Sequence, residues 1–110
     1  MSTDTSPLAR AAAEFPRHEP RPPGAPTALQ GIRVVDFTHF IAGPLATMIL
    51  ADMGADVIKV EPPEGDNTRW ISAGPVPGMG GVYVNVNRGK RSVMLNLREE
   101  ADREVLRKLV

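Results

Sequence analysis

The sequence predicts an α/β fold built on a parallel βαβ unit. Three observations carry that prediction. Ile32, Val34, Val35 and Phe37 form a short apolar run rich in β-branched residues. After a turn, Leu45, Met48, Ile49 and Met53 recur at helical spacing, and Val57, Ile58 and Val60 then form a second short apolar run. Short apolar runs bounded by turn residues suit buried strands of a parallel sheet, and the 3.6-residue period between them suits an amphipathic helix. A strand–helix–strand connection within one sheet is right-handed in nearly all proteins.

Each element has a local reason. Residues 1–28 read as a disordered leader: six of the 11 prolines lie in the first 26 residues, and His18–Pro26 has no hydrophobic period. The first strand ends in the turn Thr38–Gly43. Pro44 suits the first helical turn, where its missing N–H has no intrahelical partner anyway. Gly54 suits the left-handed position that stops a helix. Pro62–Gly81 holds four prolines and five glycines without a period, and reads as a long loop. Val82–Val86 alternates and is expected as a third strand, Asn87–Lys90 as a turn, and Val93 and Leu95 as a fourth strand. Glu99–Val110 is expected as a second amphipathic helix with Ala101, Val105, Leu106 and Leu109 on one face. Its acidic start and basic end complement the helix dipole. One βαβ unit with its flanking elements would leave sheet faces and edges bare, so residues 29–110 read as the N-terminal part of a larger domain.

Composition narrows the function. In 110 residues, 13 Lys and Arg balance 13 Asp and Glu, which argues against a nucleic-acid partner held by bulk charge. With no cysteine, a disulfide, a cysteine–zinc site and a thiol nucleophile are excluded within this stretch. No run approaches a membrane span, and the start is neither a secretory signal nor a basic presequence, so a cytoplasmic setting with no membrane partner is expected.

Three segments could carry chemistry. The turn Asp36–Pro44 lies where open α/β sheets bind ligands, outside the carboxyl end of a strand. It has only Gly43 of the three-glycine dinucleotide fingerprint, so a nicotinamide cofactor is disfavoured. His39 could contact a ligand or serve the structure, and Asp36 reads as a turn-stabilising carboxylate. Asp66 and Arg69 read either as a solvated ion pair or as part of a charged loop that closes over a ligand. Arg88, Lys90 and Arg91, with Arg98 beyond them, suit either a phosphate group or an ordinary solvated turn.

In order and spacing, Gly31–His39, Ala42-Gly43-Pro44, Leu50–Glu61, Gly65-Asp66, Arg69, Asn87, Lys90-Arg91-Ser92 and Leu95–Arg98 resemble the N-terminus of the class III CoA-transferases (CaiB/BaiF type). The resemblance covers Leu29 to Val110. It implies a Rossmann-like large domain, of which this chain holds an incomplete N-terminal part, and an interlocked homodimer. It also implies transfer of coenzyme A from an acyl-CoA to a carboxylic acid through an aspartyl-CoA thioester, without a metal. The nucleophilic aspartate falls beyond Val110 in that family, so no catalytic residue is assigned here, and the 110 residues alone are expected to be inactive. The positions that match the CoA site are His39, Phe40, Ile41 and Ala42 near the thioester, and Leu95, Asn96, Leu97 and Arg98 at the nucleotide end.

Three departures stand out. Pro62 replaces an Arg that contacts CoA in several members. Ile41 stands where formyl-CoA transferases carry Gln, which points to a less polar acyl group. Asn96 replaces the usual Asp. The alternatives are an α-methylacyl-CoA racemase-type isomerase of the same fold and a catalytically inactive truncated fragment. The Phe37-Thr38-His39 form of the turn favours the transferase.

Overall fold

The computed structural model describes residues 6–7 and 20–110. Most of the expected leader lies outside them. Three parallel strands form one sheet in the order β1 (Arg33–Asp36), β2 (Asp56–Glu61), β3 (Arg91–Met94). Between β1 and β2 runs helix α1 (Ala42–Asp52). Between β2 and β3 lie α2 (Thr68–Ile71) and α3 (Gly81–Asn87), and α4 (Glu100–Leu109) follows β3. The βαβ unit, its parallel pairing and the last helix agree with the sequence reading.

The central strand β2 is buried along its length except at Asp56. Alternation puts Val57, Lys59 and Glu61 on one face and Ile58 and Val60 on the other. The register aligns Asp36 with Lys59 and Lys59 with Ser92, so a polar row crosses the sheet on the Lys59 face. Helices α1 and α3 lie over that same face: Thr47 of α1 donates to Asp36, and Tyr83 of α3 donates to Glu61.

α1 begins without a side-chain cap and ends at Gly54, whose φ of +100° is the left-handed conformation expected there. Gly54 is needed for a second reason. A Cβ at this position would lie 1.8 Å from Thr27 Oγ1, because the chain leading into β1 passes against it. The Leu29 N–H also donates to Met53 O at 2.9 Å.

Two expectations are corrected. Val82–Val86 is not a strand but the body of α3, so the sheet has three strands and Arg91–Met94 is the third. Tyr83 and Asn87, four residues apart, are the buried positions of this helix, and the Asn87 amide donates to Tyr83 O. Packing of one helical face overrides the strand propensity of three valines. On α1, Met48 is buried but Leu45, Ile49 and Met53 stay between 41% and 48% exposed. The helix meets the sheet through Pro44, Thr47 and Met48 instead. The apolar face expected on the last helix forms, but no residue of α4 is buried. No helix among the described residues is long and apolar enough to cross a membrane.

Candidate functional site

A cavity of about 470 Å³ opens at the carboxyl ends of the strands. Its wall comes from the chain leaving each strand: Phe37 and His39 after β1, Pro62–Glu64 after β2, and Leu95–Arg98 after β3, with Val60 and Glu61 contributing from β2 itself. Five of the eight expected site residues line it: His39, Leu95, Asn96, Leu97 and Arg98. Phe40, Ile41 and Ala42 do not. Phe40 and Ile41 sit exposed on the adjoining turn, and Ala42 opens α1. Phe40 holds φ at +70°, which is unusual for a bulky residue, and such strain gathers at functional turns.

The Leu95–Arg98 segment is held from behind by α4. Asp102 accepts the Asn96 N–H at 2.7 Å, Arg103 donates to Leu97 O and Arg98 O, and Asn96 Oδ1 accepts the Arg98 N–H. These bonds hold the backbone and leave the Arg98 guanidinium free of any ion pair or hydrogen bond to another described residue.

The cations of the Arg88–Arg91 turn are committed. Arg88 pairs with Asp52, Arg91 and Arg33 both pair with Asp56, and Lys90 is buried against Asp36. The phosphate reading of the Arg88–Arg91 turn therefore loses its cations to carboxylates, while Arg98 keeps its own charge for the cavity. Asp66 and Arg69 are likewise not partners of each other. Asp66 pairs with Lys59 at 2.8 Å, and Arg69 with Glu61 at 2.6 Å.

A layer of buried charge supports the cavity floor. Glu61 accepts from both Nε and Nη2 of Arg69, from Tyr83 Oη, from Ser92 Oγ and from the Asp66 N–H. Burial pushes the Glu61 carboxyl up, but these bonds outweigh it and hold the pKa at about 2. Burial and the Glu61 carboxylate push the Tyr83 phenol up to about 12. Asp36 is the turn-stabilising group that its position suggests. It accepts from Thr38 N and Oγ1, Thr47 Oγ1 and Lys90 Nζ, which overcome its burial and hold its pKa at about 2. Lys59, fully buried, donates to Thr38 O at 2.8 Å and so ties β2 to the His39 turn.

Sequence reasoning missed this layer. Its signal was present in Lys59 and Glu61, charges set among valines on a strand otherwise fit for burial. No three His, Asp or Glu side chains among the described residues converge as a metal site would require.

The model of CoA-transferase family III matches residues 29–110. A succinyl-CoA:mesaconate CoA-transferase of Haloarcula marismortui is 52% identical over 87 residues, covering 76% of this chain and 22% of that protein. An acetyl-CoA:oxalate CoA-transferase of Acetobacter aceti is 48% identical over 82 residues, covering 73% of this chain and 21% of its own. Among solved structures, a CaiB/BaiF family protein of Brucella suis aligns with a TM-score of 0.68 at 45% identity, over 76% of this chain and 23% of that one. The chain thus spans about a fifth of the length of the curated relatives it matches.

Proposed function

Because the chain belongs to CoA-transferase family III, we propose that it forms the CoA-binding N-terminal part of an acyl-CoA:carboxylate CoA-transferase. The observation that carries this reading is the cavity that unites His39 with Leu95–Arg98 and leaves Arg98 without a carboxylate partner. CoA carries phosphates at its nucleotide end, and a guanidinium is the side chain best shaped to receive them. His39 lines the same cavity, and the family resemblance puts it on the thioester side. The uncapped start of α1 adds backbone N–H groups at Ala42 and Gly43, next to the same turn.

In the proposed reaction an aspartate, placed by the family resemblance beyond the stretch matched here, attacks the donor thioester carbonyl. The carbon–sulfur bond breaks, CoA thiolate leaves and a mixed anhydride forms. The thiolate then attacks the aspartyl carbonyl, releasing the donor acid and leaving an aspartyl-CoA thioester. The acceptor carboxylate attacks the aspartyl thioester and expels CoA thiolate, giving a second mixed anhydride; the thiolate then attacks the acceptor carbonyl, forming the new acyl-CoA and freeing the aspartate. This is nucleophilic catalysis by a carboxylate and calls on no metal. We also propose a cytoplasmic setting and, on the family resemblance alone, an interlocked homodimer.

The test is a transfer assay with the family's downstream region supplied on the same polypeptide. Labelled CoA should pass from a donor thioester to a free carboxylic acid. Exchange of the donor's α-proton with solvent, without transfer, would overturn the transferase in favour of the racemase. The relatives named above, both CoA-transferases, support the transferase.

A further inference from the structure

Asp66 is fully buried, and its two oxygens have different surroundings. Oδ1 is occupied, accepting Thr68 N at 2.9 Å and Thr68 Oγ1 at 2.7 Å, which anchors the start of α2. Oδ2 faces two nitrogens. Lys59 Nζ meets it at 2.8 Å, and His39 Nδ1 lies 4.0 Å away. Lys59 fills one lone pair of Oδ2 and leaves the other for a second donor. Asp66 points toward the one histidine that lines the cavity.

The surroundings keep this carboxylate charged. Burial opposes ionisation, but Lys59 and Thr68 outweigh it and lower the Asp66 pKa. Lys59 also donates to Thr38 O, one residue before His39, so the same ammonium fixes both the carboxylate and the backbone that carries the imidazole. The His39 ring is half in solvent and makes no hydrogen bond to another described residue. Contacts of this kind are often long in unliganded sites and tighten when substrate binds.

We infer that Asp66 is a positioning residue for His39, holding the neutral imidazole with its proton on Nδ1 and leaving Nε2 bare toward the cavity. An anionic oxygen beside one ring nitrogen favours the tautomer that donates to it, and this fixes what the other nitrogen can do. His39 then meets a ligand as an acceptor, suited to an N–H or O–H group of the bound thioester's arm and unsuited to its carbonyl oxygen. The purpose given to this acceptor rests on the CoA reading. The tautomer itself does not.

The experiment is long-range ¹H–¹⁵N correlation on histidine-labelled protein at about pH 8.5, above the ordinary histidine pKa of about 6.5. The sequence has two histidines, so a His18→Gln background leaves His39 as the single reporter. The expected pattern has a protonated, pyrrole-type Nδ1 and a bare, pyridine-type Nε2. Asp66→Asn keeps a carbonyl for Thr68 but removes the anion, and should switch His39 to the Nε2–H form that free imidazole prefers. A merely structural Asp66 would leave the tautomer unmoved. An Nε2–H or averaged pattern in the His18→Gln protein overturns the inference even if Asp66→Asn does not fold. So does a folded Asp66→Asn variant with an unchanged pattern. Loss of CoA binding with Nδ1–H intact sinks the CoA reading alone, and an Nε2–H imidazole in a CoA-binding protein sinks this inference alone.

Discussion

Replacing Glu61 with Gln is expected to cost about 3–5 kcal/mol of folding stability, the range for breaking a buried ion pair from one side. Glu61 is 2% exposed and its two oxygens gather five donated hydrogen bonds, two of them from the fork of Arg69. A glutamine presents one acceptor and one donor where two acceptors stood, and its amide would face the N–H and O–H groups of Arg69, Ser92 or Tyr83. The Arg69 guanidinium, stacked 3.8 Å over the Tyr83 ring, would keep its place without its counter-charge. Against a typical total of 5–15 kcal/mol, this would lower the thermal midpoint by more than about 10 °C. The double variant Glu61→Met/Arg69→Leu should recover part of the loss, because it removes the stranded charge together with the pair. A single-variant cost under about 1 kcal/mol would mean that water reaches this cluster.

The same group sets an acid limit. The Glu61 pKa falls from an ordinary 4.5 to about 2 on folding, and that of Asp36 from 3.8 to about 2. Depressed carboxylates stabilise the fold above the unfolded pKa, and that contribution fades as pH drops through the folded one. Stability should therefore decline from about pH 4.5 toward pH 2, by roughly 2–3 kcal/mol for each carboxylate. In Glu61→Gln the part due to Glu61 should vanish from the pH profile.

The second large effect is expected at Lys90. Its ammonium has three protons and three partners: Asp36 Oδ2 at 3.0 Å, Pro44 O at 2.9 Å and Asn87 Oδ1 at 2.8 Å. It joins the end of β1, the first turn of α1 and the last residue of α3, and its side chain is 2% exposed. Burial lowers the Lys90 pKa, with the hydrogen bond and charge of Asp36 opposing. Lys90→Met preserves most of the volume and strands the Asp36 carboxylate, so a loss of about 3–5 kcal/mol is expected in denaturant unfolding. Thr38 and Thr47 still bond Asp36, which should bring the loss toward the lower end of that range. The acid unfolding midpoint should also move to higher pH, because Asp36 loses its nearest cation.

Lys90 illustrates how far the sequence could be read. Beside Gly89, with Arg88 and Arg91 around it, it looks like one of three surface cations. Only the tertiary fold, which brings residue 90 beneath residue 36, turns it into a buried clamp. The β1–α1–β2 unit was legible because period and punctuation agree there: β-branched strands, Pro44 in the first helical turn and Gly54 at its end. Val82–Val86 misled because a helix of seven residues leaves little room for a 3.6-residue period, and its valines carry strand propensity. The buried face of α1 was only partly legible. Periodicity marks Leu45, Ile49 and Met53 as apolar, but the polar row under the helix turns Thr47 inward and leaves those three exposed.

The site shows a similar division. His39 and Leu95–Arg98 came from motif resemblance, and strand-end topology brings them to one cavity. Pro62–Glu64 share its wall because β2 ends between β1 and β3. The Lys59–Asp66 pair could not be read from spacing alone, since it joins a strand to a loop through burial.

The most direct test of the central claim is a calorimetric titration of CoA into the protein and its Arg98→Ala variant. Saturable single-site binding is predicted, weakened about 10- to 150-fold by the variant as a charged contact of about 1.5–3 kcal/mol is lost. Unfolding curves of the two proteins should coincide, because the Arg98 side chain contacts no other described residue by hydrogen bond or ion pair. Absence of binding, or equal affinity in the two proteins, would contradict the assignment of this cavity to CoA.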